Sequence, residues 1–346
     1  MILLVLFISV FITSCSVKPY EDSRKLYYVQ SAGASLPVLI AGTNSKDIII
    51  FVHGGPGGSG LVYFYAPAWE SIRKKYRMVF YDQRGSGGAR GKISESSITV
   101  DQNVKDLDLV VTSVKSLYPD SNIYLFAHSY GGMIASAYTS INQNKLTGLM
   151  MLSPALNVVN MSSSISPNII TKFIDPYLNR SDISNNSRKE WEGIKKFYLD
   201  NIPLNLDSFI KHNSYVSKAD IIQGFTHYDK YTTEVASKLT ADPLLEPVIL
   251  GTQIKKILIL LDKNNESTRN LETDPKFNLK NITIPVMLIT GENDLIVPPA
   301  SSINSFNIIS SSFKREHVYP ESAHNAFLEH PVLIEEHITE FIESPK

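Results

Sequence analysis

The chain has 346 residues, 43% of them hydrophobic, with 33 basic and 34 acidic side chains. That length suits one large α/β domain carrying an insertion, or two small domains, and it allows a sizeable core. A net charge of −1 excludes recruitment of nucleic acid or of an acidic ligand by bulk attraction. In chain order, residues 1–12 are nearly all apolar, which is the length of a signal-peptide core and short for a membrane span. Cys15 is the only cysteine, so no internal disulfide can form. Residues 1–15 therefore read as a leader and 16–24 as a polar tether. Strand-like runs at 25–30 and 36–41 flank Ser31-Ala32-Gly33-Ala34 and predict a hairpin. The continuous apolar run at 47–52 predicts a strand buried on both faces. It ends in His53-Gly54-Gly55-Pro56-Gly57-Gly58. A helix with Trp69 on its apolar face is expected over 63–75, and a buried strand over 76–81. That strand runs into Asp82-Gln83-Arg84-Gly85-Ser86-Gly87. Thr99-Val100-Asp101 opens a long helix whose Val104, Leu107, Val110, Val111, Val114 and Leu117 share one face.

A strand at 122–126, a helix at 133–138 and a strand at 146–152 follow. Strands alternating with helices imply a parallel sheet with right-handed crossovers, an α/β fold. From 157 to 277 the alternation stops, and the chain is rich in Asn, Ser, Lys and Tyr. This stretch reads as a helical cap inserted into a core formed by 25–156 and 278–346. The alternation resumes with a strand at 284–290, a helix at 300–309, a strand at 315–319 and a closing helix at 331–342.

The chemistry centres on Ala127-His128-Ser129-Tyr130-Gly131-Gly132, between a strand and a helix. Small-x-Ser-x-Gly at such a turn is a nucleophile elbow, which lifts the serine hydroxyl above the sheet at the positive end of the helix. Ala127 stands where glycine is usual, the next smallest residue. Ser129, Asp294 and His324 follow one another in the order nucleophile, acid, base, each at or just beyond the end of a strand. Ser129 would attack a carbonyl carbon. His324 would take the proton and return it to the leaving group, while Asp294 holds the imidazole. Glu292 is the rival acid. His317 and His330 are the rival bases. His53 precedes the serine, and His128 beside it reads as a packing residue or as one that supports the catalytic groups from behind, with no catalytic role of its own. The loop around Gly54 and Gly55 can aim a backbone N–H at an oxyanion, with Gly55 and Tyr130 as donors and Gly54 against the substrate. A phosphate loop is a poor reading because no Gly-Lys-Ser/Thr follows. No cofactor is implied, and no histidines pair at His-x-x-x-His spacing to bind metal.

Two resemblances add to this. Ile12-Thr13-Ser14-Cys15 resembles a bacterial lipobox, which implies cleavage before Cys15, lipid on that cysteine, and a protein tethered to a membrane of the bacterial cell envelope. His53-Gly54-Gly55-Pro56-Gly57, Asp82-Gln83-Arg84-Gly85-Ser86-Gly87 and Ser129-Tyr130-Gly131-Gly132 together resemble the prolyl iminopeptidases, over roughly 45–156 and 284–344. The resemblance implies an α/β-hydrolase fold: a mostly parallel eight-stranded sheet, helices on both faces and a helical cap. It also implies an aminopeptidase that releases N-terminal proline or another small residue from small peptides. In that family the cap carries acidic residues that bind the free amine. Trp191-Glu192-Gly193 resembles one such motif and makes Glu192 the candidate. Gly224-Phe225-Thr226-His227-Tyr228 resembles a second, but Phe225 or Thr226 occupies the place of its glutamate. An ester or amide hydrolase on the same triad, or a non-catalytic lipid-anchored binding protein, are the alternatives.

Overall fold

A computed structural model describes residues 23–225, 228–245 and 254–344 of the chain. The expected leader with Cys15, and Thr226 and His227, lie outside the described residues.

Eight strands form: β1 (Lys25–Ser31), β2 (Ala34–Gly42), β3 (Asp47–Val52), β4 (Arg77–Tyr81), β5 (Asn122–His128), β6 (Gly148–Leu152), β7 (Val286–Gly291) and β8 (Lys314–Tyr319). They make one sheet in the order β1-β2-β4-β3-β5-β6-β7-β8. The hairpin strands β1 and β2 join antiparallel, and every pairing from β4 to β8 is parallel. The strands β3 to β7 read as unbroken hydrophobic runs because both faces are covered. On β3, Ile48, Ile50 and Val52 pack into one core with Val104, Leu107 and Ile134. Ile49 and Phe51 point the other way, into an aromatic core with Trp69, Phe126 and Phe327.

The helices of the core are α1 (Pro67–Arg73), α2 (Val100–Leu117), α3 (Tyr130–Asn142), α10 (Pro299–Ile308), α11 (Ala326–Glu329) and α12 (Pro331–Glu343). The expected start of α2 is confirmed in detail: Thr99 is the N-cap and its hydroxyl accepts from the N–H of Gln102 at 3.2 Å. The helix expected over 63–75 is instead two pieces. A 3₁₀ turn (Leu61–Tyr65) stops at Ala66, which is extended at φ −66° and ψ 136°, and α1 starts afresh at Pro67. The proline excludes the helical region for the residue before it, so the periodicity carries across a break it does not reveal.

Between β6 and β7 lie α4 (Val158–Ile169), α5 (Asp175–Leu178), α6 (Asn185–Asp200), α7 (Leu206–Gln223), α8 (Tyr228–Ala241) and α9 (Ile254–Lys263). This insertion has its own core of Ile165, Phe173, Trp191, Ile194, Tyr198 and Val216, which also takes in Leu295 and Val297 beyond β7. The insertion is thereby docked onto the loop that follows β7. No helix among the described residues is long and apolar enough to cross a membrane.

Candidate active site

The site forms where β3, β5, β7 and β8 end. At the end of β5 the chain turns into α3 through Ser129, whose φ of 55° and ψ of −123° lie where side chains other than hydrogen are strained. Three backbone bonds hold this residue in place. Its N–H donates to Leu152 O at 3.0 Å, and its carbonyl accepts from Gly132 at 2.8 Å and Ala155 at 3.1 Å. The turn leaves no room behind it. A methyl group on Gly131 would overlap the carbonyl oxygens of Val52 and His53, and one on Gly132 would strike Pro154. Ala127 is tolerated because its methyl faces the α2–α3 core.

Asp294 is fully buried, and each of its oxygens is engaged. Oδ1 accepts from the N–H groups of Ile296 and Val297, both at 2.9 Å. Oδ2 lies 2.8 Å from His324 Nδ1. A carboxylate can only accept, so Nδ1 carries the proton and Nε2 is left with the lone pair that a general base needs. The backbone at Asp294 is held from the insertion, where Asn168 Nδ2 donates to its carbonyl at 2.8 Å. The loop before His324 is held by Glu329, whose Oε2 accepts from Ser322 Oγ and from the N–H of Ala323, both at 2.8 Å.

Ser129, Tyr130, Gly54, Gly55 and His324 line one cavity of about 1150 Å³. Tyr130 is the first residue of α3, so no residue within the helix accepts from its N–H. Gly55 takes a φ of +125°, which favours glycine. Gly54 presses against the nucleophile turn: a methyl there would come 2.8 Å from Ser129 Cβ.

The two glycine-bearing loops are locked to each other. Gln83 Nε2 donates to His53 O at 2.6 Å, and the N–H of Gln83 donates to His53 Nε2 at 3.0 Å. His53 Nδ1 is therefore the protonated nitrogen, and it donates to Gly54 O at 2.8 Å. Burial lowers the pKa of His53 to about 4, so the ring stays neutral. Asp82 accepts from Ser59 Oγ at 2.8 Å, from the N–H of Leu61 at 3.2 Å and from the N–H of Gly88 at 2.7 Å. Burial raises its pKa to about 6. Arg84 forms a two-pronged, fully buried pair with Asp106 at 2.6 and 2.7 Å. Gln83 and Asp82 thus brace the loop that carries Gly54 and Gly55, and Arg84 ties their own loop to α2.

The rival residues lie elsewhere. Glu292 is exposed and pairs with Lys172 at 3.3 Å. His317 stacks on His337 at 3.6 Å, and His330 Nε2 reaches Glu321 O at 3.2 Å. Glu192 is not brought to the site. Trp191 is buried against Phe173 and Tyr177, and the next position on α6 turns to solvent, so Glu192 is exposed and outside the cavity wall. Three carboxylates that sequence reading did not single out line the cavity: Asp207 and Asp262, both exposed, and Glu266, which is buried. Glu266 is already bound to Arg269 at 2.8 and 3.0 Å and to the N–H of Val100 at 3.2 Å. Asn168, Glu329 and Glu266 carry no local motif. Only Gln83, inside a motif already noted, could have been found beforehand.

A family model described as alpha/beta hydrolase fold matches residues 47–331. The chain belongs to this family. Among curated proteins, this hydrolase is 24% identical over 308 residues to "Probable aminopeptidase YbaC" of Bacillus subtilis (strain 168), covering 86% of this chain and 89% of the other. Two solved structures share the fold, each over 92% of this chain and with a TM-score of 0.58. One is a proline iminopeptidase-related protein from Thermus thermophilus, 17% identical and covered over 97% of its length. The other is a putative aryl esterase from Burkholderia cenocepacia, 19% identical and covered over 98%.

Proposed function

We propose that this α/β-hydrolase is a serine hydrolase that cleaves small amides or esters by acyl transfer, with aminopeptidase action on peptides bearing a small apolar first residue as its leading activity. One observation carries the mechanism: His324, oriented by Asp294, opens onto the same cavity as a serine held at φ 55° and as the first N–H of α3. In this reading Ser129 Oγ attacks the carbonyl carbon, and His324 Nε2 takes its proton. The oxyanion is held by the N–H groups of Tyr130 and Gly55. His324 then protonates the leaving amine or alcohol, and water releases the acyl group by the same steps in reverse.

The relatives named as a probable aminopeptidase and as proline iminopeptidases support the peptide substrate. The apolar wall of Val158, Met161, Leu204, Phe209, Ile296 and Val297 supports an apolar acyl group. A second reading, an ester or amide hydrolase indifferent to a free amine, is favoured by the cavity's carboxylates. A desolvated ammonium needs an uncommitted and buried partner, whereas Glu266 is tied to Arg269, Asp207 and Asp262 are exposed to solvent, and Glu192 is outside.

Protein lacking residues 1–15, assayed on proline and alanine anilides with free and N-acetylated amines and on short nitrophenyl esters, separates the two. The aminopeptidase reading expects the free amine to be preferred at least about tenfold, a difference of about 1.4 kcal/mol. Equal rates on blocked and free substrates replace it with the second reading. No turnover of any of them rejects both.

A further inference from the structure

We infer that His128, the residue before the nucleophile, is a positioning residue that fixes the catalytic histidine by hydrogen-bonding its backbone carbonyl. The inference rests on the reading of His324 as general base and adds a residue which that reading does not use.

His128 ends β5 and is 3% exposed. Its Nε2 lies 3.0 Å from His324 O. A carbonyl only accepts, so Nε2 carries the proton and Nδ1 keeps a lone pair, which has no partner and is buried against Gly54. The ring is clamped edge-on by Phe327 at 5.2 Å and Tyr63 at 6.4 Å, and it lies 4.7 Å from the ring of His324. Burial, then the proximity of His324, holds its pKa well below the usual imidazole range. The ring is therefore a neutral donor in a fixed tautomer, and it adds no charge beside the imidazolium formed during turnover.

His324 is thus held at three points: the N–H before it by Glu329, its ring by Asp294 and its carbonyl by His128. The first two do not act on the carbonyl of His324. The third does, and it ties the base to the residue adjoining the nucleophile. Since β5 and the loop after β8 are brought together only by the fold, this bond sets the relative position of base and nucleophile directly. An error of about 1 Å in such a position is enough to cost roughly 100-fold in rate.

The experiment compares His128→Phe, His128→Gln and His128→Asn by steady-state kinetics and by the rate at which a fluorophosphonate labels Ser129. Phe keeps the ring and its packing but has no donor. Gln offers an N–H near the Nε2 position, and Asn offers one only near Nδ1. The expected result is a fall in kcat and labelling rate of roughly 10- to 100-fold for Phe, with KM within about threefold of wild type, and recovery of at least about tenfold with Gln but not with Asn. If Phe fails to fold, the Gln-over-Asn difference is the deciding measurement. A folded Phe variant within about threefold of wild type overturns the inference, as do equal rates for Gln and Asn. Absence of labelling in the wild-type protein would instead overturn the underlying serine-hydrolase reading.

Discussion

Replacing Arg84 by methionine removes the guanidinium paired with Asp106, at a site where both side chains are essentially shut off from water. Methionine fills much the same volume, so the perturbation is electrostatic and leaves no large cavity. Asp106 would keep Ser31 Oγ at 2.6 Å and Gln102 Nε2 at 3.1 Å as donors, and would lose two charge-assisted bonds at 2.6 and 2.7 Å. Removing one member of a buried pair costs about 3–5 kcal/mol, because the other charge is left buried. That is a large part of the roughly 5–15 kcal/mol by which a domain is stable. Removing both members costs much less, so Arg84→Met with Asp106→Leu should recover most of the loss. Urea unfolding at pH 7 gives the three differences of the cycle, provided the slope is unchanged. A single-variant loss under about 1 kcal/mol, or a double variant less stable than the single, refutes the reasoning.

Two glycines should behave oppositely. Gly131→Ala should abolish soluble folded protein or cost more than about 3 kcal/mol, at or beyond the upper end for overpacking, because its methyl overlaps carbonyls of the central strand β3. Gly193→Ala, with nothing within 4 Å of the added methyl, should raise urea stability by about 0.5–1 kcal/mol through helix propensity. Stability should peak near pH 6–7. The buried His53 and His212 and the half-buried His317 have folded pKa values lowered to about 4, 3 and 4, so their contribution is present above about 6.5 and is lost as pH falls through those values. Asp220 is the reverse. Burial raises it to about 8, so its contribution is lost as pH rises through 8, and Asp220→Asn should remove a slope of about 1.4 kcal/mol per pH unit between pH 6.5 and 8 in urea midpoints. The expectation that residues 1–15 are a lipoprotein leader is tested in a bacterial host: on that expectation Cys15→Ala abolishes incorporation of labelled palmitate and membrane fractionation, and unchanged fractionation rejects it.

The core was legible because its signals are local. Strands such as 47–52 and 284–290 are apolar runs, and Ser129 and Asp294 sit at or just beyond the ends of such runs, while His324 follows the more polar last strand by five residues. The break at Ala66 hid behind correct periodicity. The role of Glu192 was legible only as a short motif. Whether a helical side chain meets a cavity depends on how its helix is rotated, and burial of Trp191 and Ile194 turns α6 so that Glu192 faces solvent. Asn168 and Glu329 act on backbone groups of Asp294 and Ala323 across 126 and 6 residues. Their neighbours in sequence give no hint of that. His128 was visible as a packing or supporting residue, but which group it supports was not, since its partner is a carbonyl 196 residues away.

The most direct test of the account is the site of covalent modification. Protein lacking residues 1–15 is treated with a fluorophosphonate, weighed intact and mapped by peptide fragmentation. The account predicts one phosphonyl group per chain, on Ser129, and none in folded Ser129→Ala; labelling slowed by several orders of magnitude in folded His324→Ala belongs to the same result. Modification at another residue, or folded wild-type protein that takes up no label, contradicts it.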